Sequence, residues 1–132
     1  MLEDATTDGP SLATALGNHR YALLTTYRRN GQAVSTSIWF AAADGKVYFR
    51  TSAEAGKAKR LTHNPRAQIA PSTAMGRRLG PVVDVVARRL GPEESAIARR
   101  AIGQRYGVMV PLVDLIVRVR HHDRIFFHIQ SP

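Results

Sequence analysis

Two clusters in this 132-residue sequence combine residue types that could do chemistry. The first is Arg50-Thr51-Ser52, followed closely by Lys57 and Arg60. The two hydroxyls come just before a run of good helix formers, and the start of a helix presents free N–H groups and a partial positive charge. Lys57 and Arg60 are three residues apart, so on a helix they share a face. Hydroxyls, backbone N–H groups and two cations meeting at one point would make a phosphate site; a solvated basic helix face is the plainer alternative. The second cluster is Ala33–Ala42, AVSTSIWFAA. In an extended chain its side chains alternate between faces. Val34, Thr36, Ile38 and Phe40 form an apolar face suited to a core, and Ser35, Ser37, Trp39 and Ala41 form the other. A simple edge strand would carry charge there. Small residues with one indole instead leave a shallow floor on which a flat heteroaromatic ring could lie, or else a surface of moderate polarity.

Other chemistries are excluded or disfavoured. There is no cysteine, which removes disulfides, thiolate metal sites, Cys nucleophiles and iron–sulfur clusters. The Gly-bearing piece GRRLGP has the spacing of neither a P-loop nor a dinucleotide fingerprint. His19, His63, His121, His122 and His128 are scattered, so no Ser-His-Asp set is defensible and metal catalysis is disfavoured. Nineteen Lys and Arg stand against 10 Asp and Glu, a formal charge of +9. Such an excess implies an anionic partner: nucleic acid, a membrane surface or a polyanionic small molecule. The arginine pairs (28–29, 77–78, 88–89, 99–100) would suit nucleic acid, but no helix-turn-helix or platform of interleaved aromatics accompanies them. No apolar run is long enough to span a membrane and residues 1–19 lack a signal-type apolar region, so the expectation is a soluble, cytoplasmic protein.

The elements that must position these residues follow from pattern. The length is that of one domain over residues 1–132, with 1–10 mobile. Ser11 could cap a short helix over Leu12–Leu16, stopped at Gly17-Asn18. Tyr21–Arg28, Ala33–Ala42 and Lys46–Thr51 read as strands joined at Asn30-Gly31 and Asp44-Gly45, two hairpin signals that specify an antiparallel meander. Ser52–Asn64 reads as a helix ended by Pro65. Strands follow over Arg66–Pro71 and Pro81–Leu90, separated by the basic turn 73–80. Pro92 with Glu93 and Glu94 opens a further helix, closed at Gly107. A second helix is expected over Met109–Arg120 and a last strand over Ile125–Gln130. The order βββ-α-ββ-αα-β departs from the regular alternation of parallel α/β folds and indicates a mainly β, α+β protein: a small antiparallel barrel of about six strands with three or four helices against its openings.

The stretches LLTTYRRNGQAVSTSIWF, VYFRTS, GKAKRLTHNPRAQIAP and GRRLGP, in unbroken order over about half the chain, strongly resemble the pyridoxamine-phosphate-oxidase-like split β-barrels. More narrowly, the chain resembles the branch that uses the 8-hydroxy-5-deazaflavin coenzyme F420. The resemblance implies a homodimer with a flavin or deazaflavin at the subunit interface and a small-molecule substrate; no membrane partner is expected, and a basic nucleic-acid-binding module is the less favoured alternative. It places Ser35, Thr36, Ser37, Ile38 and Trp39 beside the ring, largely through backbone groups. It places Arg50, Thr51, Ser52, Lys57 and Arg60 around the phosphate, and Arg77 and Arg78 are candidates for the coenzyme's oligoglutamate tail. The implied activity is an F420-dependent oxidoreductase, with the same fold carrying FMN as the alternative. Members that bind flavin mononucleotide often have Ser-Arg directly before the lysine; here Ala55-Gly56 stands there, which shifts phosphate binding onto Lys57 and Arg60. The chain also lacks the C-terminal extension of the vitamin-biosynthetic oxidases. Tyr106 could border the substrate space or simply pack its helix.

Overall fold

A computed structural model describes residues 8–17, 19–43, 46–107 and 124–132. Seven strands are present: β1 (Tyr21–Tyr27), β2 (Ala33–Trp39), β3 (Ala41–Ala43), β4 (Lys46–Ser52), β5 (Arg66–Ser72), β6 (Val83–Arg89) and β7 (Arg124–Gln130). Three helices accompany them: α1 (Asp8–Leu16), α2 (Gly56–His63) and α3 (Pro92–Tyr106). All pairings are antiparallel, in the order β2-β1-β5-β6-β7-β4-β3. The two ends of this order, β2 and β3, are consecutive in the chain. One long strand therefore pairs with β1 up to Trp39, breaks at Phe40, and pairs with β4 from Ala41. The sheet closes on itself through that broken strand, which makes it a split barrel.

Alternation decides what the barrel holds. In β1 the burial pattern is strictly period two, with Ala22, Leu24 and Thr26 buried and Tyr21, Leu23, Thr25 and Tyr27 half-buried. Ala22 and Leu24 join Ile38, Phe40, Val47, Phe49, Ile69 and Phe127 in one core cluster. Phe49 and Phe127, opposite each other in the register, stack with centroids 5.1 Å apart. Burying side chains of this size contributes about 1.5–3 kcal/mol each. Leu12 and Leu16 from α1 and Ala58 and Leu61 from α2 belong to the same cluster, so these helices seal the barrel. A second cluster lies outside, where α3 packs Ala98, Ala101, Ile102 and Tyr106 on Ala41, Tyr48 and Phe126. Among the described residues, no helix is long and apolar enough to cross a membrane.

The expected fold class is borne out, and the differences have local causes. The strand expected over Ala33–Ala42 is two strands, because the Phe40 N–H bonds to the Tyr106 hydroxyl rather than to a ladder partner. That raises the strand count from six to seven. The helix expected from Ser52 starts at Gly56, since Ser52 pairs with Arg124 at the end of β4 and its hydroxyl then accepts the Glu54 N–H at 3.2 Å, forming a turn. The first helix begins at Asp8, three residues before the expected cap. The strand expected over Pro81–Leu90 is trimmed to Val83–Arg89. Asn30-Gly31 lies in a connection closed by the Arg28 N–H to the Gln32 carbonyl, with Gly31 at φ 89°. The Asp44-Gly45 hairpin and the helix expected over 109–120 lie outside the described residues.

Candidate functional site

The basic cluster forms where α2 meets β1. The N-cap of α2 is Ala55, so no side chain satisfies the amides of its first turn. Lys57 makes no hydrogen bond or ion pair with a described residue. Burial pulls its ammonium below the ordinary lysine value, and the neighbouring Arg60 guanidinium pulls it further. Arg60 is itself lowered by burial and by Arg28, just beyond β1. Arg28, Arg60 and Lys57 thus form a chain of like charges in which no carboxylate among the described residues intervenes. The Arg60 fork is aimed by its Nε–H, which donates to Thr26 Oγ1 at 2.6 Å, and Thr26 is fully buried. A Cβ at Gly56 would lie 2.8 Å from Arg60 Nη1, so the glycine makes room for the guanidinium.

The hydroxyl-bearing end of β4 divides between two faces. Thr51 alternates with Phe49 and Val47, which face the barrel core, whereas Arg50 and Ser52 fall on the face of Tyr48. Thr51 and Ser52 are both buried, and the Ser52 hydroxyl is engaged by the Glu54 amide. The structure therefore brings Lys57 and Arg60 together and adds Arg28, while Arg50 and Thr51 point apart.

The floor formed by β2 takes shape on the outside of the barrel. Among the described residues α3 packs mainly on the β3-β4-β7 side and reaches β2 at Trp39, and the outward residues of β1 and β2 are half-buried or exposed. Ser35, Ser37 and Trp39 lie on it, opposite Thr25, Leu23 and Tyr21. Ser35 and Thr25 hydroxyls are hydrogen-bonded at 2.8 Å. Thr36 and Ile38 point the other way, with Ile38 in the core, so only their backbone is open to this edge. As β2 ends the sheet order, half of its backbone donors and acceptors face away from β1. The turn 73–80 overhangs this floor: the Ser37 hydroxyl donates to the Thr73 carbonyl at 3.2 Å. Gly76 sits beside Leu23 and Ser37 at φ 89°, a left-handed conformation that favours glycine. Arg77 and Arg78 are exposed on the turn, which is tied by the Arg77 N–H to Thr73 Oγ1 at 3.0 Å.

A split barrel with a half-open outer face and an unpaired cation cluster now has a sequence counterpart. The sequence profile of the family described as pyridoxamine 5'-phosphate oxidase matches residues 10–129. The chain belongs to that family. Solved structures of the same fold agree with the assignment. The heme storage protein HutZ from Vibrio cholerae superposes with a TM-score of 0.71 at 17% identity, over 93% of this chain and 89% of that one. A conserved hypothetical protein from Mycobacterium tuberculosis gives 0.62 at 22% identity, over 97% and 79%. A FAD-binding protein from Mesorhizobium loti gives 0.62 at 19% identity, over 90% and 84%. Identities this low show the shared fold of the family's structures alone. No curated protein matches significantly.

Within this family framework, two participants escaped the sequence reading. Arg28 acts electrostatically on Arg60, and Thr26 aims it. No spacing rule links residues over 30 positions apart. Tyr106 proves to pack its helix: it is buried and stacks on Trp39, with ring centroids 4.6 Å apart and planes 11° from parallel. One open recess of about 590 Å³, lined by Tyr27, Asn64, Arg66 and Asp84 among others, includes neither Lys57 nor any residue of β2.

Proposed function

We propose that this chain binds a phosphate-bearing flavin-type coenzyme, the 8-hydroxy-5-deazaflavin F420, and serves as an oxidoreductase acting on a small-molecule acceptor. The observation that carries the reading is the trio Arg28, Lys57 and Arg60, like charges held together beside the uncapped start of α2. A dianionic phosphate offsets mutual repulsion there and receives charge-assisted hydrogen bonds. Phosphate chemistry thus fits the residues present. The half-open floor of Ser35, Ser37 and Trp39 fits a flat ring, with the β2 backbone offering donors and acceptors to its polar edge. Arg60 is tied to Thr26, opposite Val34; Trp39 lies five residues further along β2, about 17 Å at the strand rise. A phosphate anchored at one end and a ring at the other calls for an extended linking chain, as a ribityl group provides. Arg77 and Arg78, exposed on the overhanging turn, would meet the carboxylates of the coenzyme's tail.

When bound, the coenzyme supplies hydride transfer, and the protein's part is binding, orientation and electrostatics. In this reading a second copy covers the open outer face, so the active unit is a homodimer with the coenzyme between subunits.

FMN in the same site is the second reading. Its support is the family assignment and the fold shared with a FAD-binding protein. Titrating the purified protein with F420, FMN and hemin, while following dimerisation by light scattering, tests both readings. The expectation is F420 binding tighter than FMN, and turnover of conjugated acceptors with the reduced coenzyme. Tight FMN binding without F420 binding selects the second reading. Hemin binding alone would overturn both.

A further inference from the structure

The break in the β2–β3 strand is made by one side chain. Tyr21 opposes Trp39 in the ladder, so the next pair would be Arg20 with Phe40. The hydroxyl of Tyr106, at the end of α3, occupies that place. It accepts the Phe40 N–H at 3.0 Å. Its own hydrogen is shared between the Arg20 carbonyl at 2.7 Å and the Phe40 carbonyl at 2.8 Å. The ring of the same residue lies flat on the Trp39 indole. The Arg105 guanidinium covers both Phe40 and Tyr106, 4.8 Å and 5.8 Å from their ring centroids, and donates to the His19 carbonyl. A residue wanted only for packing could be any large apolar group. This one inserts a polar atom into a ladder and sets the orientation of the chain's single tryptophan.

We infer that Tyr106 is a positioning residue for the coenzyme ring. Its hydroxyl holds the strand open at Phe40, and its ring fixes Trp39 as the rigid end wall of the floor formed by Ser35 and Ser37. The inference rests on the flavin-type reading above and adds a residue that never touches the reacting atoms. Stacked aromatics have a preferred offset geometry, so the indole keeps one orientation whether or not a ligand is present, and the ring meets a preformed wall.

The emission of Trp39 reports on this wall directly, because no other tryptophan contributes. Wild type, Tyr106→Phe, Tyr106→Leu and Tyr106→Met are compared in two measurements. Acrylamide quenching of the ligand-free proteins reads the accessibility of Trp39. Titration with riboflavin, FMN and F420 reads ring affinity, riboflavin being the ring without phosphate. Tyr106→Phe keeps the stack and should leave quenching and ring affinity within threefold of wild type while lowering the melting temperature. Tyr106→Leu and Tyr106→Met should raise acrylamide quenching and weaken riboflavin and FMN by the same factor, tenfold or more. Met serves as the flexible replacement should Leu not fold. Folded Leu or Met variants with wild-type riboflavin affinity overturn the inference, as does unchanged acrylamide quenching. If wild type binds none of the three chromophores, the flavin-type reading falls and the ring-positioning role falls with it. The acrylamide comparison still decides separately whether Tyr106 sets Trp39.

Discussion

Replacing Lys57 with Ala separates binding from folding. The Lys57 ammonium is partly desolvated, is repelled by Arg60 and has no bonded partner among the described residues. Its removal therefore deletes no hydrogen bond or ion pair with a described residue and relieves a repulsion, and Ala is the best helix former. The melting temperature should stay level or rise. Binding should behave in the opposite way. A hydrogen bond to a charged group is worth about 1.5–3 kcal/mol, and about 1.4 kcal/mol is a factor of ten. The phosphate contact of Lys57 thus corresponds to roughly 10- to 150-fold in affinity. Quenching of Trp39 emission by FMN and F420, measured alongside thermal melts, reads both quantities. Riboflavin, lacking the phosphate, should bind wild type and variant equally. Unchanged FMN and F420 affinity with a lower melting temperature would refute the reasoning, because Lys57 would then be structural. Equal losses for riboflavin and FMN would refute it differently, by moving Lys57 to the ring.

Arg60→Ala should lower stability as well as FMN affinity, since it strips the buried Thr26 hydroxyl of its donor, a loss of about 1–3 kcal/mol; melts and quenching titrations in parallel check the contrast with Lys57. Affinity for phosphate-bearing ligands should fall as pH rises from neutrality toward 10.5. Lys57 has a lowered value in the free protein, an anion restores its charged form, and binding therefore takes up a proton that becomes scarcer at high pH; titrations across that range, with riboflavin as the pH-insensitive control, test the sign. The His128 imidazole is lowered from 6.5 by burial and by Lys46 and Arg88, against Glu94. Below 6.5 the unfolded chain accordingly binds a proton that the fold refuses. Stability should be full above 6.5 and fall as pH drops through that value toward the lowered one, and His128→Gln should flatten this part of a melting profile taken between about pH 5 and 8. Joint replacement of Arg77 and Arg78 by Ser should weaken F420 but not FMN, a difference that isothermal titration of both ligands would show.

The barrel was legible because its signals are local. The β-rich runs Tyr21–Tyr27 and Lys46–Ser52, the Asn30-Gly31 turn and Pro92 with Glu93 and Glu94 at the start of α3 each act within a few residues. The break at Phe40 was not legible, since the group that makes it, the Tyr106 hydroxyl, is 66 residues away. Nor was the turn at Ser52, where propensity favoured helix but pairing with Arg124 held the chain in the sheet. Lys57 and Arg60 were readable as a helical i, i+3 pair. Their third partner, Arg28, and the Thr26 contact that aims Arg60 depend on where α2 docks on β1, which only the closed barrel determines.

The cation cluster also explains how a small barrel can carry an excess of positive charge usefully. Like charges drawn together lower the stability of the ligand-free fold, and here no carboxylate among the described residues relieves Lys57 and Arg60. Elsewhere Lys46 approaches Glu94 to 4.0 Å, so acids are available to this surface but are not spent on the cluster. A partner anion reverses the sign of the interaction: it removes repulsion and adds attraction in one step. A ligand that binds only the folded state stabilises it by RT ln(1 + [L]/Kd), about 2.7 kcal/mol at a hundredfold excess over Kd. A protein organised in this way is therefore expected to be most stable when loaded. In the proposed reading the same logic favours a compact polyanion over a duplex: a phosphate at α2 and carboxylates at the turn 73–80 would meet the charge at two places, the turn being tied to β2 by Ser37.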